Sequence, residues 1–244
     1  MVQPDATYGI SPVDSAALLR ETCDALPAGL QLQRGEQGLA LTDGTLCVQA
    51  DFAAKLARVA PGRLNGELLV RACKPNSLPP DAWAADATAG LGEDAFLLAA
   101  AGFQVLLIER NPVMAALLQD ALERGMRDPR LAPTTARMHL LHADSTQALP
   151  HLPLQPAVVL LDPMFPAKGK SAASKKKMQL LQRLESPCTS EEALLKAALA
   201  ARPQKVIIKR PLKGPHLAGV KPSYSLKGTT IRYDCLLPAS LPRA

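Results

Sequence analysis

Two segments of this 244-residue chain carry side chains that could work on a bound ligand. The first runs Asp86-Ala87-Thr88-Ala89-Gly90-Leu91-Gly92-Glu93-Asp94-Ala95. Glycines at 90 and 92 let the backbone turn tightly and approach a ligand. A helix beginning at Glu93 would add unpaired N–H groups. The second runs Asp162-Pro163-Met164-Phe165-Pro166. Its prolines fix a loop that cannot join a sheet, so carbonyls near Pro163 stay available as acceptors. Asp162 and such a carbonyl match the two N–H bonds of an exocyclic amine and would turn its lone pair toward a methyl donor. Phe165 can stack on the base that carries the amine.

Three further positions add to the ligand's description. Glu109, followed by Arg110, ends an apolar run, and a carboxylate there can accept both ribose hydroxyls of an adenosine. Asp144-Ser145 closes another strand, where a side chain could reach the adenine amino group. The glycine loop alone does not choose between cofactors. Gly90-x-Gly92-x-x-Ala95 fits the fingerprint of an NAD-dependent oxidoreductase as well as the first loop of a methyltransferase sheet. The Asp162 turn decides, because hydride transfer has no use for an amine-holding loop. A catalytically silent RNA-binding module is the other alternative, and the intact acids at 109 and 162 argue against it.

The elements that must position these residues are legible as alternating apolar runs and amphipathic stretches. Strands are predicted over 84–86, 103–108, 138–141, 157–161 and 206–208. A closing hairpin is predicted from 224–226 and 230–236, around Lys227-Gly228. Helices are predicted from Glu93 to Ala101, ended by Gly102; from Pro112, capped by Asn111; and from Glu191 to about Ala201, capped by Ser190. Such alternation implies a parallel, doubly wound sheet with right-handed crossovers. Ligands bind such a sheet at the carboxyl ends of its strands, where the chemistry-bearing residues fall. Residues 1–75 read as a small α/β appendage with strand-like pieces at 39–41 and 46–50. A proline-rich break, Lys74 to Pro80, sets it apart from 76–244.

Composition fits this reading. Aromatic residues make up 3% and hydrophobic residues 48%, so the core must be built from Leu, Ala and Val, as suits a buried parallel sheet. Five scattered cysteines without a C-x-x-C pair suggest reduced thiols and a cytoplasmic setting. The four histidines show no metal-ligand spacing, so no metal is expected. No apolar stretch reaches the length of a membrane span, and Met1 to Ile10 lacks the features of a signal peptide. The net charge is +6. Lys168, Lys170, Lys175, Lys176 and Lys177 follow the Asp162 loop, and Lys209-Arg210 ends a strand. Both clusters are expected at the pocket mouth, where they could neutralise the phosphates of a nucleic acid.

The Asp162-Pro163-Met164-Phe165-Pro166 string resembles the Asp/Asn-Pro-Pro-aromatic motif of amino-group methyltransferases. Taken with Asp86-Ala-Thr-Ala-Gly-Leu-Gly, Glu109-Arg110-Asn111-Pro112 and Lys209-Arg210-Pro211, residues 83–236 resemble the RsmJ family of 16S ribosomal RNA guanine-N2 methyltransferases. The resemblance implies an α/β fold with a doubly wound, mostly parallel, seven-stranded Rossmann-like sheet. It also implies S-adenosyl-L-methionine as cofactor, contacted by Asp86, Gly90, Glu93, Asp94, Glu109, Arg110, Asp144, Ser145 and Asp162. Asp162, Pro163 and Phe165 would be catalytic, and Lys168, Lys170, Lys209 and Arg210 would meet 16S ribosomal RNA or the small ribosomal subunit. Glu93 and Asp144 depart from the residues usual in that family, and Arg58 to Glu67 only loosely matches its Arg/Gly-rich stretch.

Overall fold

A computed structural model of the protein describes residues 13–73, 79, 81–163, 179–184 and 190–238. Its N-terminal part holds α1 (Ser15–Ala25), the strands β1 (Gln31–Gly35), β2 (Gly38–Thr42) and β3 (Cys47–Val48), then α2 (Leu56–Val59) and α3 (Leu68–Cys73). The strands form a small antiparallel sheet in the order β1-β2-β3. There follow β4 (Trp83–Asp86), α4 (Glu93–Ala100), β5 (Gln104–Glu109), α5 (Pro112–Arg127), α6 (Ala132–Thr135), β6 (Met138–His142), α7 (Ser145–Ala148) and β7 (Val158–Leu161). Helix α8 (Glu191–Ala200) and strands β8 (Lys205–Pro211), β9 (Tyr224–Lys227) and β10 (Ile231–Leu236) complete the described elements.

The main sheet has seven strands in the order β6-β5-β4-β7-β8-β10-β9. β4 to β8 pair in parallel, and β10 runs antiparallel to both β8 and β9. The chain winds outward through β5 and β6, then returns to place β7 on the other side of β4. The order therefore reverses between β4 and β7, the crevice where doubly wound sheets bind ligands. Asp86 ends one of these strands and Asp162 follows the other, with Asp86 in register with Leu160.

Strand alternation divides the core. Val105 and Leu107 join Ala84, Val158, Leu160 and Ile207 on one face, under α4 and α5. Leu106 and Ile108 join Ala85, Val159, Leu161 and Val206 on the other, under Leu194, Leu195 and Ala198 of α8. Every central strand is apolar on both faces, as a sheet covered by helices on both sides requires. The predicted caps are present. The Asn111 side chain accepts from Val113 and Met114 N–H with Pro112 at the first helical position, and Ser190 accepts from Ala193 N–H.

The N-terminal sheet is fastened to α5 through Asp120, whose buried carboxylate accepts from Leu39 N (3.0 Å), Arg34 Nη1 (2.8 Å) and Arg124 Nε (2.7 Å). Phe52 stacks on Phe96 of α4 at 5.1 Å between ring centroids, so this part shares the core that supports the glycine loop. Two local expectations need adjusting. β1 was not foreseen, because Gln31-Leu32-Gln33-Arg34-Gly35 is a largely exposed edge strand without apolar alternation. The expected strand at 46–50 contracts to Cys47–Val48. In the expected break, Lys74 to Leu78 and Pro80 lie outside the described residues.

Candidate active site

The glycine loop and the acid that ends β5 are built as one unit. Gly90 N donates to Glu109 Oε2 and Asn111 N to Glu109 Oε1, each at 2.8 Å. Glu109 is 4% exposed, and burial raises its pKa against the pull of those N–H groups. A carboxylate has about four acceptor sites, so Glu109 keeps acceptor capacity for a hydroxyl of a ligand beyond these backbone donors. Gly90 adopts φ +54°, and the nearest atom to a Cβ built there is Met114 Cε at 3.8 Å, so the backbone has room beside it. Gly92 differs. At φ +73° its missing Cβ would stand 2.7 Å from Leu118 Cδ1, so glycine is required there for helix packing.

Asp162 sits across the crevice. Its backbone N–H donates to Thr88 Oγ1 at 2.7 Å, which ties the turn after β7 to the glycine loop. Its Oδ2 lies 2.8 Å from Lys209 Nζ, and the same ammonium lies 2.6 Å from Asp94 Oδ2. Burial works against the Lys209 charge, but Asp162 and Asp94 outweigh it and hold its pKa well above the ordinary lysine value. Pro163 is buried and has no N–H to offer.

Asp86 is 2% exposed and accepts from Thr88 N at 3.2 Å. Burial, with the nearby Asp94 carboxylate second, pushes its pKa up to about 8. An unfolded aspartate titrates near 3.9, so between about pH 4 and 8 the folded chain binds more protons than the unfolded one. In that window this group makes stability fall as pH rises, by at most about 1.4 kcal/mol per pH unit. The expected result is a melting temperature of the ligand-free protein that declines from pH 5 to pH 8, with Asp86→Asn flattening the decline. Parallel profiles for both proteins would contradict the assignment.

Comparison with known proteins fixes the class. Residues 21–238 match the family model described as "Putative SAM-dependent methyltransferase". The chain is 44% identical over 216 residues to "Ribosomal RNA small subunit methyltransferase J" of Pseudomonas aeruginosa strain LESB58, covering 85% of this chain and 82% of that protein. It is 40% identical over 232 residues to the protein of the same name from Pseudomonas fluorescens strain SBW25, covering 90% and 86%. The chain belongs to this methyltransferase family. A crystal structure of a SAM-dependent methyltransferase from Neisseria gonorrhoeae superposes with a TM-score of 0.72 at 29% identity, covering 95% of this chain and 94% of that one. The rRNA methyltransferase aviRa from Streptomyces viridochromogenes shares the fold, at TM-score 0.50 and 19% identity over 77% of this chain and 93% of its own.

The methyltransferase uses S-adenosylmethionine, and the residues present suit it. Glu109 offers acceptor capacity, Gly90 leaves room for a close approach, and among the described residues the carboxylates of Asp94 and Asp162 share the one Lys209 ammonium between them. Such a surplus favours a ligand carrying positive charge. When bound, the cofactor supplies an electrophilic methyl group on sulfur.

The other expected site residues are distributed unevenly. Glu93 meets Lys55 Nζ at 2.5 Å, and Arg110 is exposed beside the end of β5. Asp144 is half-buried and caps α7, with its Oδ1 accepting from Thr146 N and Oγ1. Ser145 is buried and donates to Ala87 O at 2.6 Å, so its hydroxyl braces the glycine loop. Phe165, Lys168 and Lys170, with Lys175 to Lys177, lie outside the described residues.

Lys209 and Arg210, expected at the pocket mouth, both have acidic partners. Lys209 is committed to two carboxylates, and the fully buried Arg210 side chain is held by Glu191 Oε1 (3.1 Å) and the Pro215 carbonyl (2.7 Å). Sequence reasoning missed Thr88, Lys55 and Arg58. Arg58 makes a two-point bond to Glu67 at 2.9 and 2.7 Å and acts electrostatically on Asp94. The signal available for it was the basic and acidic pair bracketing the 58–67 stretch.

Proposed function

We propose that this methyltransferase modifies the exocyclic N2 amine of a guanosine in small-subunit (16S) ribosomal RNA. The observation that carries the reading is the position of Asp162. It stands at the sheet's switch point with its backbone pinned by Thr88 and its carboxylate oriented by Lys209, across from the Glu109–Gly90 unit. The printed names of the relatives supply the RNA.

In this reading Glu109 takes the ribose hydroxyls of the cofactor. Asp86, Gly90, Glu93, Asp94, Arg110, Asp144 and Ser145 surround or brace the remainder of it. Asp162 and a carbonyl of the Pro163 turn accept the two amine N–H bonds, and Phe165 stacks on the base. Holding the amine this way leaves its lone pair aligned with the methyl group, and such alignment supplies most of the acceleration. A strong general base is unnecessary, because the nitrogen sheds a proton readily once alkylated. Residues 76–244 form the methyltransferase domain in this proposal, with 1–75 as its appendage.

The test is mass-spectrometric mapping of nucleosides in small-subunit ribosomal RNA from cells lacking the protein. One N2-methylguanosine should disappear, and return with the wild-type gene. An unchanged profile overturns the substrate assignment, and loss of a different methylated nucleoside overturns the N2 position.

A further inference from the structure

We propose that Lys209 is a positioning residue for methyl transfer, its ammonium clamping the Asp162 carboxylate of the amine-holding turn to the Asp94 carboxylate of α4. The proposal rests on the reading of Asp162 as the amine acceptor and adds the device that keeps it in place.

The clamp follows from the register of the sheet. β7 and β8 run parallel with Leu161 opposite Ile208, so the next residues along, Asp162 just past β7 and Lys209 within β8, come side by side. Lys209 is half a pleat out of phase with Arg210, which sends the two side chains to opposite faces. Lys209 reaches the face that carries α4, where its Nζ lies 2.6 Å from Asp94 and 2.8 Å from Asp162. Tyr233, its cross-strand neighbour on β10, is 3% exposed and shields the pair from water on that side. One ammonium therefore links the first turn of the cofactor-loop helix to the first residue of the amine-holding turn. A shift in either would alter the distance between methyl donor and amine.

The clamp also fixes a charge state. The groups facing Asp162 are Lys209 from β8, Asp94 from α4, Asp86 from β4 and Tyr233 from β10, and Arg58 of α2 acts on Asp94. Without Lys209, the two carboxylates and the Asp86 carboxyl group would remain together with Arg58, on the Asp94 side, as the cation among the described residues that acts on them, and neighbouring acids so placed come to share a proton. A protonated Asp162 offers an O–H where the amine needs an acceptor.

The test compares Lys209→Met, Lys209→Arg, Asp94→Asn and Asp162→Ala as full-length enzymes. Each is checked by thermal melting and assayed at saturating cofactor and RNA across pH. Lys209→Met is expected to lower kcat roughly ten- to a hundredfold, the scale of a misplaced reacting group. It should also move the acid limb of the kcat profile upward by about one pH unit or more, as loss of a cationic partner does for a carboxylate. Lys209→Arg restores the limb and most of kcat. Asp94→Asn removes a like charge, so the limb moves down instead, which keeps the proposal testable if Lys209→Met fails to fold. An unmoved acid limb in both Lys209→Met and Asp94→Asn, with Asp162→Ala inactive, overturns the clamp. Full activity in Asp162→Ala would instead overturn the amine-acceptor reading on which the clamp rests.

Discussion

Replacing Asp162 by alanine is expected to cut methyl transfer at saturating cofactor and RNA by roughly three orders of magnitude or more, on the scale of losing a preorganised polar partner at a reacting centre. In the proposed reading the substitution removes a charged acceptor for the amine and, with it, the alignment of the nitrogen lone pair. The loop itself should persist, because Thr88 Oγ1 receives the backbone N–H of residue 162, which alanine keeps. Lys209 would keep Asp94 as partner, so an uncompensated ammonium is not left in the crevice. Binding of S-adenosylhomocysteine should therefore weaken by less than about tenfold, since the ribose and glycine-loop contacts are made elsewhere. The combination of lost turnover and kept cofactor affinity is specific to an amine-holding role. Equal losses in both would make Asp162 a cofactor ligand, and near-normal turnover would remove it from the chemistry altogether.

How much of this was legible in the sequence depended on the length scale of the cause. Asp86, Glu109 and Asp162 announce themselves because each terminates an apolar run, and an acid at the end of a buried strand must face a crevice or a partner. The caps at Asn111 and Ser190 are equally local. β1 was not legible, since an exposed polar edge strand has no burial pattern to read and exists only because β2 pairs with it. The destination of Lys209 was not legible either. A basic residue at a strand end looks the same whether it meets a phosphate or a carboxylate, and the answer lay in Asp94, far away in the chain. One part of the arrangement was legible. Consecutive strand residues point to opposite faces, so Lys209 and Arg210 had to find different partners. The contribution of Lys55 and Arg58 depends on how the N-terminal part packs against α4, through Phe52 on Phe96, and no local pattern encodes that.

Glu109 carries the other large effect, and its expected signature is the converse of that for Asp162. In the proposed reading, removing its carboxylate in Glu109→Ala deletes a charged acceptor for two ribose hydroxyls, at about 1.5–3 kcal/mol for each hydrogen bond to a charged group. Affinity for S-adenosylhomocysteine should fall by roughly a hundredfold or more, while kcat at saturating cofactor stays within a few-fold. Alanine also strands Gly90 N–H and Asn111 N–H, so the melting temperature should drop and part of the lost affinity would reflect a loosened loop. Glu109→Gln separates the two contributions. The amide keeps the volume but has one oxygen where the backbone uses both, Oε2 for Gly90 and Oε1 for Asn111, so its NH2 must face one of those donors. A milder loss of melting temperature with at least about a tenfold loss of affinity is expected for it, since roughly 1.4 kcal/mol corresponds to each factor of ten. Calorimetric titration of both variants decides the matter. Wild-type affinity in Glu109→Ala would mean that the adenosine ribose is held elsewhere, and that this buried acid serves only to tie the glycine loop to the start of α5.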